Sequence, residues 1–199
     1  MGKLIVVVGN SGVGKTTLVN ALCANNKYGT GLEELVERPF QALFKMDRRY
    51  ALANQLDYLL LRTEQERFIR QGLISGIQDG GLDMDFLVFT RLFLHKGYLS
   101  VEEFSICERL YGQIRSAQPP PEMIIWMQAP LEVVAARFAL RGRPLEIAER
   151  DDLKTINLLL QEWLIRSGPK SLIHLDASRE DPSYEGFLPG LLVQLEKYI

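Results

Sequence analysis

The stretch GNSGVGKT, which begins at Gly9 and ends at Thr16, has the glycine and lysine spacing of a phosphate-binding loop. It follows an apolar run, Leu4 to Val8, and precedes a helical pattern, so the strand, loop and helix stand in the required order. Glycines let backbone N–H groups face an anion, Lys15 can reach the β- and γ-phosphates, and the Thr16 hydroxyl can ligate Mg²⁺. We therefore predict a site for ATP that is formed by Gly9, Asn10, Ser11, Gly12, Val13, Gly14, Lys15, Thr16 and Thr17.

A signalling GTPase is the first alternative for such a loop, and the sequence disfavours it. The Asn-Lys-x-Asp motif that reads guanine is missing, because Asn26-Lys27 is followed by Tyr28 and Gly29. No Asp-x-x-Gly follows the next predicted strand either.

Composition narrows the class of protein further. The net charge of −2 disfavours a general nucleic-acid binder, which usually carries a strong basic excess. No apolar run approaches 18 residues, and the N-terminal run is too short for a signal peptide, so no membrane association is expected. Cys23 and Cys107 show no metal-ligand spacing and are interpreted as reduced packing residues. The expected location is the cytoplasm.

Strand and helix patterns alternate along the 199 residues. This order predicts an α/β fold of one domain, with about five parallel strands covered by helices on both sides. The predicted strands are Leu4 to Val8, a short strand near Leu73 to Gln78, Met123 to Met127 and Leu172 to Leu175. The predicted helices are Gly14 to Ala24, Asp47 to Arg70, Met84 to His95, Val101 to Arg115, one opened by Pro130, Ile147 to Arg166 and Tyr184 to Tyr198.

The segment from Glu33 to Arg62 resembles the deoxynucleoside kinases, in particular their bacterial deoxyadenosine/deoxyguanosine branch. Glu33 precedes Pro39 by six residues, as the acid of that family does, and "RYALANQ" ends in a glutamine, Gln55, at the family's base-reading position. Arg62 follows seven residues later, so one helical face can present both side chains. The resemblance implies the fold of a P-loop kinase and a deoxynucleoside site that includes Gln55 and Arg62.

The stretch RFALRGRPLE resembles the lid of the same family, which is predicted here over about residues 137–150. The resemblance makes Arg137, Arg141 and Arg143 the lid arginines and Glu146 the acid that holds the sugar 3′-hydroxyl. Guanidinium groups are planar and permanently charged, so they can cover a γ-phosphoryl group as its charge spreads over the oxygens.

Two positions depart from the family. In "DGGLDMD", Asp79 and Asp85 occupy the positions of the family's two acids, but Gly80 replaces an arginine that is thought to hold the phosphoryl groups. If that change impairs the site, restoring arginine at position 80 is expected to raise turnover or leave it unchanged. Phe44 stands where the family usually has a tyrosine that contacts the 3′-hydroxyl, so the resemblance predicts that it lines the sugar site, although a phenyl ring cannot make that hydrogen bond.

The resemblance implies a kinase that uses ATP and Mg²⁺ to phosphorylate the 5′-hydroxyl of a deoxynucleoside. Glu33 is the predicted general base, with Glu34 as the alternative, and Thr16 and Asp79 are the predicted metal ligands. Asp85 is predicted to accept a bond from the base, which favours purine deoxynucleosides or deoxycytidine over thymidine, although it can also be read as a helix cap. Phe86 can border the base.

Two other readings stay open at this point: another P-loop kinase, such as a nucleoside monophosphate kinase, and a catalytically weak nucleotide-binding homologue. A homodimer is expected, because the helices between Met84 and Arg115 carry much apolar surface. The side chains behind this expectation are Leu87, Val88, Leu92, Phe104 and Leu110.

Overall fold

The computed structural model describes residues 2–24, 27–30, 38–141, 148–166, 171–179, 184 and 186–197. Its strands are β1 Leu4–Gly9, β2 Gly29–Thr30, β3 Gly76–Asp79, β4 Met123–Gln128 and β5 Leu172–Asp176. Its α-helices are α1 Lys15–Cys23, α2 Pro39–Met46, α3 Ala51–Gln71, α4 Leu82–Met84, α5 Arg91–His95, α6 Val101–Ala117, α7 Leu131–Arg141, α8 Asp152–Arg166 and α9 Leu188–Glu196.

The five strands form one parallel sheet in the order β2-β3-β1-β4-β5. After β1 the chain goes to one side of that strand for β2 and β3 and then to the other side for β4 and β5. The crevice outside the carboxyl end of β1 is therefore the place where open α/β sheets bind their ligands. The predicted fold class, a parallel sheet with helices on both sides, is confirmed.

Strand β1 is buried on both faces. Ile5 and Val7 belong to a cluster that includes Leu18 of α1, whereas Leu4 and Val6 belong to a second cluster on the opposite face. The second cluster is built with residues of α8 and of the segment after β3. An apolar run with no polar alternation is what a central parallel strand requires, and it holds the loop after Gly9 on a rigid support.

The structure adds elements that the sequence patterns did not predict. Helix α2 begins at Pro39, a favoured first position, in a segment for which the sequence patterns predict no helix. The long helix predicted from Asp47 begins later, because Arg48–Tyr50 forms one 3₁₀ turn before α3. Helices α8 and α9 are also shorter at their N-termini than predicted.

The helical run after β3 is interrupted by a π-helix. Asp85–Thr90 has π-helical geometry and lies between α4 and α5 without a break in the chain's helical course. Such segments are rare and frequently occur at functional sites. Because the helix has already begun at Leu82, Asp85 does not cap it, and that reading of Asp85 is wrong.

The apolar side chains on which a homodimer is predicted pack against other parts of the same chain. Val88 and Leu92 are buried in the second cluster, and Leu87, Phe104 and Leu110 pack against a third cluster between α3 and α6. The chain itself therefore buries Val88 and Leu92 and partly covers the other three side chains.

Candidate active site

The phosphate-binding loop joins the buried end of β1 to the first turn of α1. Nζ of Lys15 donates to the backbone carbonyls of Gly9 and Asn10, at 3.1 Å each, so the ammonium group lies over the loop. Gly12 has a φ of +90°, and a Cβ there would lie 3.0 Å from the backbone nitrogen of Phe138 in α7. A larger residue would therefore push α7 away from the loop, which explains a glycine at this position.

A hydrogen bond ties the same loop to the helix that follows the predicted lid. Nδ2 of Asn10 donates to the backbone carbonyl of Leu153 in α8 at 2.7 Å, and Oδ1 of Asn10 accepts from the backbone N–H of Ser11. Asn10 is buried, so these bonds satisfy an amide that burial would otherwise destabilise. The loop is thereby held against the start of α8, the helix that follows the predicted lid.

The two predicted metal ligands meet directly. Oγ1 of Thr16, in the first turn of α1, donates to Oδ2 of Asp79 at the end of β3, with a distance of 2.6 Å. A hydroxyl and a carboxylate are hard oxygen ligands of the type that Mg²⁺ prefers. Within the described residues no group of three or more carboxylate, thiol or imidazole side chains could hold a metal alone. This donor set fits an ion whose remaining ligands are phosphate oxygens and water.

The structure also brings together the three residues predicted to read the base. Nε of Arg62 donates to Oδ2 of Asp85 at 2.8 Å, and both side chains are at least nine-tenths buried. Oγ1 of Thr90 lies 3.0 Å from Oε1 of Gln55 and 2.9 Å from the backbone carbonyl of Asp85. Gln55, Thr90, Asp85 and Arg62 therefore form one connected polar group, which we call the base-side group.

Two glutamines extend the base-side group toward the sheet. Nη1 of Arg62 donates to Oε1 of Gln65 at 3.0 Å, and the same oxygen accepts from Nε2 of Gln78 in β3 at 2.7 Å. Neither glutamine, nor Thr90, was predicted from the sequence. Gln65 follows Arg62 by three residues on the same helix, which was an available signal, whereas Thr90 follows Asp85 by five, a spacing that an α-helix does not use.

Gly80 lies beside this group. Its φ is +86°, and a Cβ at this position would lie 3.4 Å from Nη2 of Arg62. The guanidinium of Arg62 therefore borders the space into which a side chain at position 80 would extend. The positive φ and the nearby guanidinium disfavour arginine at position 80, whose effect on turnover stays a prediction.

Phe44 is almost fully buried. Its ring stacks on that of Phe93 at 4.8 Å between centroids and meets Tyr98 edge-on at 5.7 Å. The guanidinium of Arg48 lies over the Phe44 and Tyr98 rings, 4.6 Å and 4.4 Å from their centroids. Phe44 thus fixes α2 against α5 and the segment that follows it, and its contact with a sugar stays a prediction.

The predicted lid is described only at its two ends. Arg137 of α7 donates to the carbonyls of Ala177 and Arg179 at 2.7 Å and 3.1 Å, so it joins α7 to the segment after β5. Arg141 ends α7. The other two predicted lid residues, Arg143 and Glu146, lie outside the described residues, as do the predicted base and its alternative, Glu33 and Glu34.

The far end of the predicted lid is fixed by ion pairs. Nζ of Lys96 lies 2.9 Å from Oε2 of Glu149 and 2.8 Å from Oδ1 of Asp152, where α8 begins. Burial lowers the pKa of Lys96, but its hydrogen bonds to these carboxylates outweigh that effect and raise it. The bond from Lys96 lowers the pKa of Glu149 in turn.

A buried cluster of charged side chains joins α6 to α3 and α4, the helices next to the base-side group. Arg115 of α6 donates from Nη1 and Nη2 to the two carboxylate oxygens of Glu66, at 2.8 Å and 2.9 Å, and from Nε to Oδ1 of Asp83 at 2.6 Å. The hydroxyl of Tyr111 donates to the same oxygen of Asp83, and its ring stacks on that of Phe86. Burial raises the pKa of Glu66 despite its bonds to Arg115. The cluster fixes α4 and the π-helix relative to α3.

Several known proteins are similar to this chain. Deoxyadenosine/deoxycytidine kinase of Bacillus subtilis is 26% identical over 166 residues, which are 81% of this chain and 76% of that protein. Among solved structures, deoxyadenosine kinase of M. mycoides with dCMP and dCDP bound has a TM-score of 0.82 at 17% identity. The same enzyme with dATP has a TM-score of 0.79 at 17% identity. The alignments cover 98% and 97% of this chain and 99% of each structure.

The described part of the chain contains no helix with the length and apolar character needed to cross a membrane.

The sequence profile of the family described as "Deoxynucleoside kinase" matches residues 5–186, which include the phosphate-binding loop and every residue of the base-side group. The chain therefore belongs to the deoxynucleoside kinase family.

Proposed function

We propose that the protein transfers the γ-phosphoryl group of ATP to the 5′-hydroxyl of a deoxynucleoside and releases ADP and the 5′-monophosphate. The observation that carries this proposal is the arrangement of two polar sets around β3. The Thr16–Asp79 pair lies at the end of this strand beside the phosphate-binding loop, and Gln78 links the strand to the base-side group. One set suits a triphosphate and the other suits a nucleobase.

The chain's own residues then have the following roles. Glu33 takes the proton of the 5′-hydroxyl, whose oxygen attacks the γ-phosphorus as the bond to the ADP oxygen breaks. Lys15 and the lid arginines Arg137, Arg141 and Arg143 stabilise the charge on the transferring phosphoryl oxygens. Thr16 and Asp79 would hold Mg²⁺, which would supply positive charge beside the phosphate oxygens.

The chemistry of Asp85 restricts the base. An ionised carboxylate only accepts hydrogen bonds, so it suits a base with an exocyclic amino group. Thymine would direct a carbonyl oxygen at Asp85 and leave two buried acceptors without a proton between them, at a cost of about 1–3 kcal/mol. The name of the B. subtilis relative, a deoxyadenosine/deoxycytidine kinase, agrees with this restriction.

The test is a coupled ADP-release assay with the four deoxynucleosides, ATP and Mg²⁺, run with Lys15→Ala as the inactive control. Turnover with at least one amino-bearing deoxynucleoside, ahead of thymidine, is the expected result. Turnover only with deoxynucleoside monophosphates would identify a different P-loop kinase. Nucleotide binding without turnover on any acceptor would identify a non-catalytic homologue.

The same assay identifies the general base. Glu33→Gln is expected to keep ATP binding and lower turnover about 10²–10⁴-fold, the usual contribution of general-base catalysis. Glu34→Gln is the matched control. A loss confined to Glu34→Gln would assign the base to that residue instead.

A homodimer is part of the proposal, and its interface is placed on exposed side chains of α3 and α6. Leu60 and Phe68 of α3 and Ile106 of α6 are exposed by 50%, 74% and 44%, and α3 packs against α6. Exposed apolar side chains on two adjacent helices suit a symmetric interface. Sedimentation at micromolar concentration is expected to give a dimer, and Phe68→Glu is expected to give a monomer. A monomeric wild-type chain would refute this part of the proposal.

A further inference from the structure

Thr90 contacts two acceptors that belong to different parts of the base-side group. Its side chain is fully buried, with Oγ1 at 3.0 Å from Oε1 of Gln55 and at 2.9 Å from the backbone oxygen of Asp85. In a π-helix the N–H of a residue is directed at the carbonyl five positions earlier, which for Thr90 is also that of Asp85. The Asp85 carbonyl therefore has a backbone donor that does not depend on the Thr90 hydroxyl.

The effect of Thr90 on the Gln55 amide depends on which of the two acceptors receives the hydroxyl proton of Thr90. A threonine hydroxyl has a single proton, whereas the terminal amide of glutamine can turn over to present either its oxygen or its two N–H groups. Because the Asp85 carbonyl has another donor, the Thr90 proton is available to Oε1 of Gln55. With Oε1 held by Thr90, Nε2 is the end of the amide that remains for a ligand.

We propose that Thr90 is a positioning residue for base selection: it fixes the amide of Gln55 so that Nε2 faces the nucleobase. This inference rests on the proposed function, because it treats Gln55 as a contact of the base. The base then meets a donor from Gln55 and an acceptor from Asp85. The edges of adenine and cytosine match that order, since each has an amino group beside a ring nitrogen that accepts. Hypoxanthine, guanine and thymine have a carbonyl beside a ring N–H, which is the reverse.

The experiment compares kcat/KM for deoxyadenosine and deoxyinosine in the wild type, Thr90→Val and Thr90→Ser. Deoxyinosine replaces the amino group and the accepting ring nitrogen by a carbonyl and an N–H. Valine keeps the shape of threonine but has no proton for Oε1, so the Gln55 amide can turn over and accept from that N–H. The ratio of deoxyadenosine to deoxyinosine is expected to fall about fivefold or more in Thr90→Val, the effect of one buried hydrogen bond. Serine keeps the hydroxyl and is expected to keep the ratio within about twofold.

A double-mutant cycle with Gln55→Ala separates positioning from a structural role. If Thr90 acts through Gln55, Thr90→Val leaves the ratio unchanged in the Gln55→Ala background. A merely structural defect would lower kcat/KM for both nucleosides and leave their ratio constant in either background. The melting temperature of each variant checks that it is folded.

The outcomes are distinct. A wild type that favours deoxyadenosine, together with a Thr90→Val variant that keeps the same ratio, overturns the role of Thr90 and leaves the proposed function standing. Loss of the ratio in folded Thr90→Ser also overturns it, because the hydroxyl is then not what matters. A wild type without turnover on any deoxynucleoside overturns the proposed function and this role with it.

Discussion

The guanidinium of Arg62 lies against Gly80, so that a Cβ on residue 80 would be 3.4 Å from Nη2 of Arg62. The same guanidinium holds Asp85 through Nε at 2.8 Å. In the family that this chain belongs to, an arginine is expected at position 80, and here the space beside that position is bordered by another arginine. A side chain introduced at position 80 would therefore act on the Arg62–Asp85 pair as well as on the phosphate side.

Gly80→Arg is expected to lower kcat/KM with deoxynucleosides and to destabilise the fold. The φ of +86° disfavours any residue with a Cβ, at about 1–3 kcal/mol, and a second guanidinium beside Arg62 adds repulsion between like charges. Gly80→Ala introduces the backbone strain without the charge and is the control. Wild-type turnover and melting temperature in Gly80→Arg would contradict this prediction, because Arg62 would then have moved aside without any effect on the site.

Asp85→Asn is expected to reduce the discrimination against thymidine. The Nδ2 group of asparagine can donate to a carbonyl, so the ratio of kcat/KM for deoxycytidine over thymidine should fall by about 5- to 150-fold, the equivalent of 1–3 kcal/mol. Asp83→Asn, two residues away, changes a buried carboxylate that bonds to Arg115, so it is expected to lower the melting temperature and to leave this ratio unchanged. An unchanged ratio in Asp85→Asn would remove Asp85 from the base site.

Asp79→Asn is expected to raise the Mg²⁺ concentration needed for half-maximal turnover. The amide keeps an oxygen near Thr16 but loses the negative charge that attracts a divalent cation. Titration with Mg²⁺ at saturating ATP measures the shift. Thr16→Ser, which keeps the hydroxyl, should show the wild-type dependence. An identical Mg²⁺ dependence in Asp79→Asn and wild type would argue against a metal role for this carboxylate.

Arg115→Met is expected to lower the free energy of unfolding by about 3–5 kcal/mol at neutral pH, because it leaves Glu66 and Asp83 buried without their cation. Burial already raises the pKa of Glu66 above its ordinary value, and loss of Arg115 raises it further. The folded state then binds a proton more tightly than the unfolded state does. Stability is therefore regained below the folded-state pKa and lost as the pH rises through it.

Urea unfolding of Arg115→Met and wild type at pH 7 and pH 5 measures this effect. The difference between the two proteins should be smaller at pH 5, where Glu66 can be protonated. A difference that is equal at both pH values would mean that the loss of Arg115 does not raise the pKa of Glu66 further.

Local patterns were sufficient to predict the phosphate-binding loop, from the buried strand and the glycine spacing. Asp79, which ends the adjacent strand β3, was predicted only by the resemblance to the family. The base side depends on contacts between segments far apart in sequence. Gln55 and Thr90, which share a hydrogen bond, are 35 residues apart in the sequence, and no spacing within one helix predicts that bond.

Burial was the least predictable property. The resemblance predicts only a sugar contact for Phe44, and its stacking on Phe93 depends on the position of α2, a helix that the apolar periodicity does not predict. The apolar side chains of the helices after Met84 predict a partner chain, but the chain itself buries two of the five and partly covers the other three. A sequence pattern shows which face of a helix is apolar and does not show which neighbour covers it.

The π-helix between α4 and α5 also determines how this part of the chain would respond to a change in its length. A segment whose hydrogen bonds join residues five apart contains one residue more than the equivalent α-helical segment. In an ordinary helix, deleting one residue turns everything beyond it by about 100° and takes apolar side chains out of the core. Here a deletion between Asp85 and Thr90 would instead restore regular α-helical bonding and leave α5 in place. The same deletion would change the five-residue spacing between Asp85 and Thr90, on which the contacts of Thr90 with the Asp85 carbonyl and with Gln55 depend.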